Sequence, residues 1–391
     1  MVNSSSSSDN GSRKIKILRI ITRMNIGGPA VQIIGLMNNI DKERFDQRLV
    51  IGECLGNELD ILNQGYFGFN PIRIKHLGRK ISPFSDVRAL ILIILEIRKF
   101  KPDIIHTHTT KAGVLGRIGS ILSFHKSKRV HTYHGHLLFG YFKGLKLNLL
   151  ITLEKILALF THQLVTVGIK VKNDLLKARI GKENLYSVVN PGLELNNLPS
   201  KSEALKTLNL SADQVYCSFI GRLTQIKRPD RMLEVVEELQ HRGSRLHFIV
   251  AGGGELLQQC QKVSLAKNLP ITFLDWYKDI EVVLAASDIT LLTSDNEGTP
   301  ISLIQSQMAG VVVVSTNVGS VSEIIKEGET GFLTTFLSSD IADKLELLQS
   351  NENLRIQMGS NAKAFATDLF SVKNMVRKYQ DIYSTLLSKK N

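Results

Sequence analysis

The chain has 391 residues, 43% hydrophobic and 22% charged, a composition that allows two globular domains and excludes a disordered or fibrous protein. Its three cysteines, Cys54, Cys217 and Cys260, stand far apart without a C-x-x-C pair, which argues against a disulfide framework or a zinc site. The net charge of +13 is uneven: residues 1–200 hold 29 Lys and Arg against 14 Asp and Glu, so this half suits anionic partners, whether nucleic acid, a membrane surface or phosphate-bearing small molecules.

The serine-rich start lacks the segments of a secretory signal, and residues 1–13 are expected to be a disordered tail. From there, short β-rich runs alternate with helical periods. Strands are predicted at 14–22, 47–52, 71–76, 103–108, 129–134, 163–168 and 185–190, giving an α/β domain over 14–195. A second series, at 215–221, 246–252, 271–276, 288–294, 311–316 and 331–335, gives another over 196–370. Helices at about 338–349, 353–367 and 371–388 end the chain, and the last, within 371–391, is expected to pack back on the first domain. The apolar runs at 89–95 and 147–153 meet a charge well before the roughly 18 residues of a membrane span. The expected architecture is two facing Rossmann-like domains with parallel sheets and a cleft between them, where ligands sit at the carboxyl ends of strands.

The candidate site residues follow strands. Gly27 and Gly28 precede Pro29, a residue suited to a first helical turn, so backbone N–H groups and the positive helix end are offered to a phosphate. The spacing is not G-x-G-x-x-G, which argues against a dehydrogenase. Arg222 and Lys227 lie between a strand and a helix beginning near Pro229, where two cations can neutralise a departing diphosphate. Glu297 follows the strand at 288–294 and precedes a helix opened by Pro300; its carboxylate can accept from sugar hydroxyls, while backbone groups of Gly298, Thr299, Pro300 and Ile301 meet the donor.

With GGPAVQ (27–32), HTHTTKAG (106–113), HTYHGH (131–136), NPGLE (190–194), GRLTQIKR (221–228), SDNEGTPISLIQSQMAG (294–310) and NVGSVSEII (317–325), the chain from about residue 14 resembles the retaining glycosyltransferases of family 4, of GT-B fold. The resemblance is nearest in look to bacterial members that build surface polysaccharide on a polyprenyl diphosphate carrier. It implies that Arg222 and Lys227 bind a diphosphate, that Glu297 contacts the donor sugar and that His134 touches the sugar near the reacting carbon. It also implies transfer of a hexose or N-acetylhexosamine, UDP-linked, to a lipid-linked saccharide. The family's second glutamate, eight positions after Glu297, is here Gln305, which loses a charge-assisted bond to the donor's ribose. Val312 stands where the family commonly has Pro.

His106, His108, His131, His134 and His136 crowd two strand ends, but no Asp, Glu or Cys completes a tetrahedral set, so neither metal nor cofactor is expected. His106 and His108 read as crevice-wall or core residues. Aromatics and Lys143, Lys146 and Lys155 flank the apolar run at 136–160, which reads as a buried helix with part of it touching lipid headgroups; Arg117, Lys126, Lys128 and Arg129 extend that surface. The enzyme is thus expected in the cytoplasm, peripheral at an anionic inner membrane face, with no nucleic acid bound. Rival readings are a nucleotide-sugar 2-epimerase on the same fold and a non-catalytic sugar-nucleotide-binding protein.

Overall fold

The computed structural model describes residues 13–25, 27–54, 59–65, 67–78, 80–135, 144–195 and 197–388. The expected tail therefore lies outside the described residues except for Arg13, as do His136 and Lys143. Runs of β-branched and aliphatic residues form one parallel sheet from β1 (Ile15–Ile21), β2 (Phe45–Ile51), β3 (Ile72–Arg73), β4 (Ile104–His108), β5 (Lys128–Tyr133), β6 (Gln163–Thr166) and β7 (Tyr186–Val188). Helices α1 (Gly28–Asn39), α2 (Pro83–Phe100), α3 (Thr110–Leu122), α4 (Leu145–Leu159) and α5 (Ile169–Lys177) connect them, and the strand order is β3-β2-β1-β4-β5-β6-β7.

After α6 (Lys201–Thr207) the pattern restarts. Strands β8 (Tyr216–Ile220), β9 (His247–Ala251), β10 (Ile271–Asp275), β11 (Ile289–Leu292), β12 (Val312–Thr316) and β13 (Gly331–Thr334) form a second parallel sheet in order β10-β9-β8-β11-β12-β13. It carries α7 (Pro229–His241), α8 (Leu257–Ala266), α9 (Ile280–Ala286), α10 (Ile301–Met308), α11 (Ser338–Ser350) and α12 (Glu352–Leu369). Each expected strand is present, although β3 keeps only two of its six residues, those in register with Val50 and Ile51. The order reverses between β1 and β4 and again between β8 and β11, and such reversals open a crevice at the strands' carboxyl ends.

The last helix, α13 (Val372–Ser388), leaves the second sheet and joins the core of the first. Its Met375, Val376, Tyr379, Tyr383 and Leu386 pack with Ile17, Leu36, Ile104 and Val130. Full burial of one such apolar side chain is worth about 1.5–3 kcal/mol, so the contact holds the chain's end firmly.

Two arginines are wholly buried. Arg19 donates to Gln47 Oε1 (3.1 and 3.0 Å), Tyr383 Oη (2.8 Å) and His106 Nδ1 (2.9 Å). A guanidinium only donates, so Nδ1 of His106 accepts and its Nε2–H is left to donate to Thr132 Oγ1 at 2.8 Å. Arg117, expected on a lipid-facing surface, instead has 0% exposure and grips both carboxylate oxygens of Glu154 on α4 at 2.8 Å. Tyr133 Oη donates to the same carboxylate at 2.7 Å. Burial without that partner would strand the charge, which is why Arg117 points inward. Arg117→Ala should lower unfolding stability by about 3–5 kcal/mol, while Arg117→Met with Glu154→Leu should cost much less; urea-denaturation midpoints check the contrast.

Candidate functional site

The loops after β8 and β11 are bound into one unit. Asp295 N–H donates to Ile226 O (2.9 Å), Thr293 Oγ1 to the carbonyls of Lys227 (3.1 Å) and Arg228 (2.9 Å), and Arg231 to Thr293 O (2.5 Å). At its tip Lys227 Nζ lies 2.5 Å from Glu297 Oε1, and Ser294 Oγ donates to that oxygen at 2.5 Å. The side chains keep only 20% (Lys227) and 10% (Glu297) of their exposure, so this is a largely desolvated pair. Arg222, half-buried, makes no side-chain bond or ion pair among the described residues. Lys227 passes over the same turn, since a Cβ on Gly221 would stand 3.9 Å from its Cε. Of the two cations expected to meet a diphosphate, Lys227 is engaged by Glu297, whereas Arg222 has no side-chain partner among the described residues.

Opposite lie the loops of the first domain. A Cβ on Gly298 would come 2.7 Å from Gly135 Cα and 2.9 Å from His134 O, so only glycine allows the two backbones this approach. Gly28 faces Ile301, whose Cγ1 would stand 2.9 Å from a Cβ there, and Gly27, at the N-cap of α1, accepts from the N–H of Ala30 and Val31. Thr299 Oγ1 donates to Val167 O across the domains at 3.1 Å, and Pro300 caps α10. Gln305, in the second turn of α10, is half-buried and makes no side-chain hydrogen bond among the described residues.

His134 Nε2 and His108 Nδ1 share one proton at 2.9 Å. His134 Nδ1 and His108 Nε2 are both buried without a partner, so one N–H and one lone pair stand ready beside Gly135. Burial lowers His134 to about 4 and holds His106, His108 and His131 well below 6.5, with Arg19 adding to the effect at His106 and Arg117 at His131. These rings work as neutral hydrogen-bonding groups. Among the described residues, no His, Cys, Asp and Glu are grouped to hold a metal.

Sequence reasoning assigned no role to three residues here. Glu323 reaches from the second domain to the first, its carboxylate accepting from Ile169 N–H and Lys170 N–H at 2.6 Å and so capping α5. Gly319, at φ 55°, lies where a Cβ would come 1.7 Å from Glu297 O. Ser294 fixes the glutamate. Glu323 and Gly319 stand in the quoted stretch 317–325, but a glutamate that caps another domain's helix has no local spacing signature.

Comparison with known proteins gives consistent results. Residues 26–196 match the description Glycosyltransferase Family 4, and residues 200–365 match Glycosyl transferases group 1. The chain is 27% identical to the Escherichia coli UDP-Gal:alpha-D-GlcNAc-diphosphoundecaprenol alpha-1,3-galactosyltransferase, with 96% of this chain and 98% of that one covered. It is 25% identical to the capsular polysaccharide biosynthesis glycosyltransferase CapM of Staphylococcus aureus, covering 80% and 84%. The crystal structure of Anabaena HepE in complex with UDP and glucose superposes with a TM-score of 0.80 at 19% identity, over 95% of this chain and all of that one, a likeness of fold.

The buried histidines make stability depend on pH. Unfolded, each takes up a proton near pH 6.5; folded, His134 does so only near 4, and the other three also well below 6.5. Between these values the unfolded chain binds more protons, so stability is full above about pH 6.5 and falls as pH drops, by up to about 1.4 kcal/mol per pH unit for each histidine. Urea midpoints should therefore fall between pH 7 and pH 5, and less steeply in His106→Gln; a flat profile would contradict the burial described.

Proposed function

Because the chain belongs to the family 4 glycosyltransferases, of GT-B fold, we propose that it moves a hexose or N-acetylhexosamine from a UDP-sugar to a saccharide carried on a polyprenyl diphosphate, with retained anomeric configuration, in the making of surface polysaccharide. The observation that carries this reading is the Lys227–Glu297 pair with the unpaired Arg222 beside it, at the switch point of the second sheet. Two cations suit a diphosphate, and a carboxylate suits sugar hydroxyls. The name of the Escherichia coli relative supports a UDP-sugar donor and a lipid diphosphate acceptor. No described helix is long and apolar enough to cross a membrane, which is compatible with an enzyme working peripherally at the cytoplasmic face.

In this reading the acceptor hydroxyl attacks the anomeric carbon on the face the diphosphate leaves. The carbon–oxygen bond to the phosphate breaks, the electron pair goes to the phosphate oxygen, and the hydroxyl proton passes to a phosphate oxygen. Arg222 and Lys227 meet the growing charge, and His134 and Glu297 hold the sugar. No side chain is required as base.

Arg222→Ala and Lys227→Ala should each lower turnover by about 10² to 10³ with a smaller effect on donor binding, because the diphosphate's charge grows as the bond breaks. Steady-state kinetics check this, and near-normal rates would remove these residues from the mechanism. The same assay should survive EDTA; loss restored by Mn²⁺ or Mg²⁺ would overturn the metal-independent reading. Gln305→Glu should tighten donor binding by about tenfold or less, the worth of a charge-assisted over a neutral bond, while Gln305→Leu weakens it. A 2′-deoxyribose donor, tested by calorimetry, should erase most of the gain from Gln305→Glu.

A further inference from the structure

Helices normally turn their apolar stripe inward, but α4 carries a further apolar stripe on its outward side, besides the buried Leu157 and Ala158. Leu145 (87% exposed), Leu149 (72%), Ile156 (49%) and Leu159 (79%) fall on one outward stripe, while the helix's one carboxylate, Glu154, is buried against Arg117. On α2 a second stripe, Phe84, Val87, Ile91 and Leu95, is exposed on the side away from the buried Ala89, Ile93 and Ile97. The two helices flank α3, whose end adds Phe124 at 86% exposure. Fourteen of the 22 large apolar side chains exposed among the described residues lie within residues 81–160, so the exposure is concentrated and not the scatter of an ordinary surface.

The charge around these stripes is one-sided. Residues 80–160 hold 13 Lys and Arg against four Asp and Glu. All four carboxylates are taken: Asp86 by Lys111, Glu96 by Arg48, Asp103 by Arg13 and Glu154 by Arg117. Arg88, Arg98, Lys99, Lys126 and Lys146 remain exposed at the margins.

We propose that the face formed by α2, the end of α3 and α4 is a membrane-docking surface, whose leucine and phenylalanine stripes enter the interface of an anionic bilayer while its lysines and arginines meet the phosphate headgroups. A second protein copy is a poorer occupant, because apposing two faces of this net charge would set like charges together. The proposal deepens the peripheral placement given above and rests on the lipid-carried acceptor reading for its occupant, though not for the surface itself. Arg117, a pairing residue inside the domain, is no part of it.

The test is co-sedimentation of the full chain with vesicles of phosphatidylcholine alone or mixed with phosphatidylglycerol. Binding to the anionic vesicles should be tighter by about tenfold or more and should weaken with salt. Leu145→Glu with Leu149→Glu, and separately Phe84→Glu with Ile91→Glu, should each reduce it by about tenfold or more. Leu265→Glu, at an equally exposed position on α8 (84%), should leave it unchanged. Equal binding to both vesicles, or α2 and α4 variants that bind like the parent chain, would overturn the proposal. So would a dimer, seen by sedimentation velocity without vesicles, that these substitutions dissociate. Thermal stabilisation by UDP, measured on the same variants, separates the readings: vesicle binding without any UDP binding would leave this surface standing and sink the glycosyl-transfer chemistry.

Discussion

The contact between Lys227 and Glu297 fixes what the second domain presents to the cleft. Both side chains are largely withdrawn from water, and each charge has the other as its partner there. Each is therefore the other's stored partner. In the proposed reaction an arriving diphosphate gives Lys227 a second anion to share, which frees Glu297 to accept from sugar hydroxyls. Ser294, bonded to the same carboxylate oxygen, keeps the glutamate in place during that exchange. Arg222 stays unpaired on the same turn and needs no such release.

That arrangement depends on how closely the domains meet. Gly298 against Gly135, Ile301 against Gly28, and Thr299 on Val167 bring the proposed donor loop onto the loops of the first sheet. Glu323 adds a charged cap to α5, and α13 returns to the first core. The two ties differ in kind: α13 is held by packing of its apolar side chains with its tyrosine hydroxyls bonded inside the first core, whereas Glu323 makes two hydrogen bonds near the surface. Thr299 and Glu323 thus join the domains by hydrogen bonds at the cleft, while α13 joins the chain's end to the first core by packing.

Much of this was legible in the sequence. The β-branched and aliphatic runs located every strand within a few residues, since strands buried on both faces are mostly apolar, and Arg222, Glu297 and Gly298 lie in strand-end loops as read. The edge strand β3 was overestimated because Ile74 to His76 have the right residue types but no strand register with β2. The fate of the arginines was not legible. Arg117 looks like any basic residue until Glu154, 37 positions later, is seen to be its partner, and Arg19 is satisfied by Tyr383, 364 positions away. Lys227 was legible as a cation in the right loop, but its engagement by Glu297 depends on side-chain geometry across 70 residues. Pairings over such separations leave no periodic trace.

The unsatisfied polar atoms give a further reason to look at the cleft. Folded proteins pair nearly all their buried polar groups, because each one left over costs about 1–3 kcal/mol. Among the buried side-chain atoms without a hydrogen-bond partner, which also occur in α2, α3 and α10, four sit at or just after strand ends facing the cleft: His108 Nε2, His134 Nδ1, Thr224 Oγ1 and Ser320 Oγ, after β4, β5, β8 and β12. All four ends are carboxyl ends, on two different sheets, at the edges where the domains face each other. A hydroxylated ligand with donors and acceptors of its own would satisfy them, so the expense of leaving them bare in the folded chain is the same free energy that would later favour a sugar in the cleft.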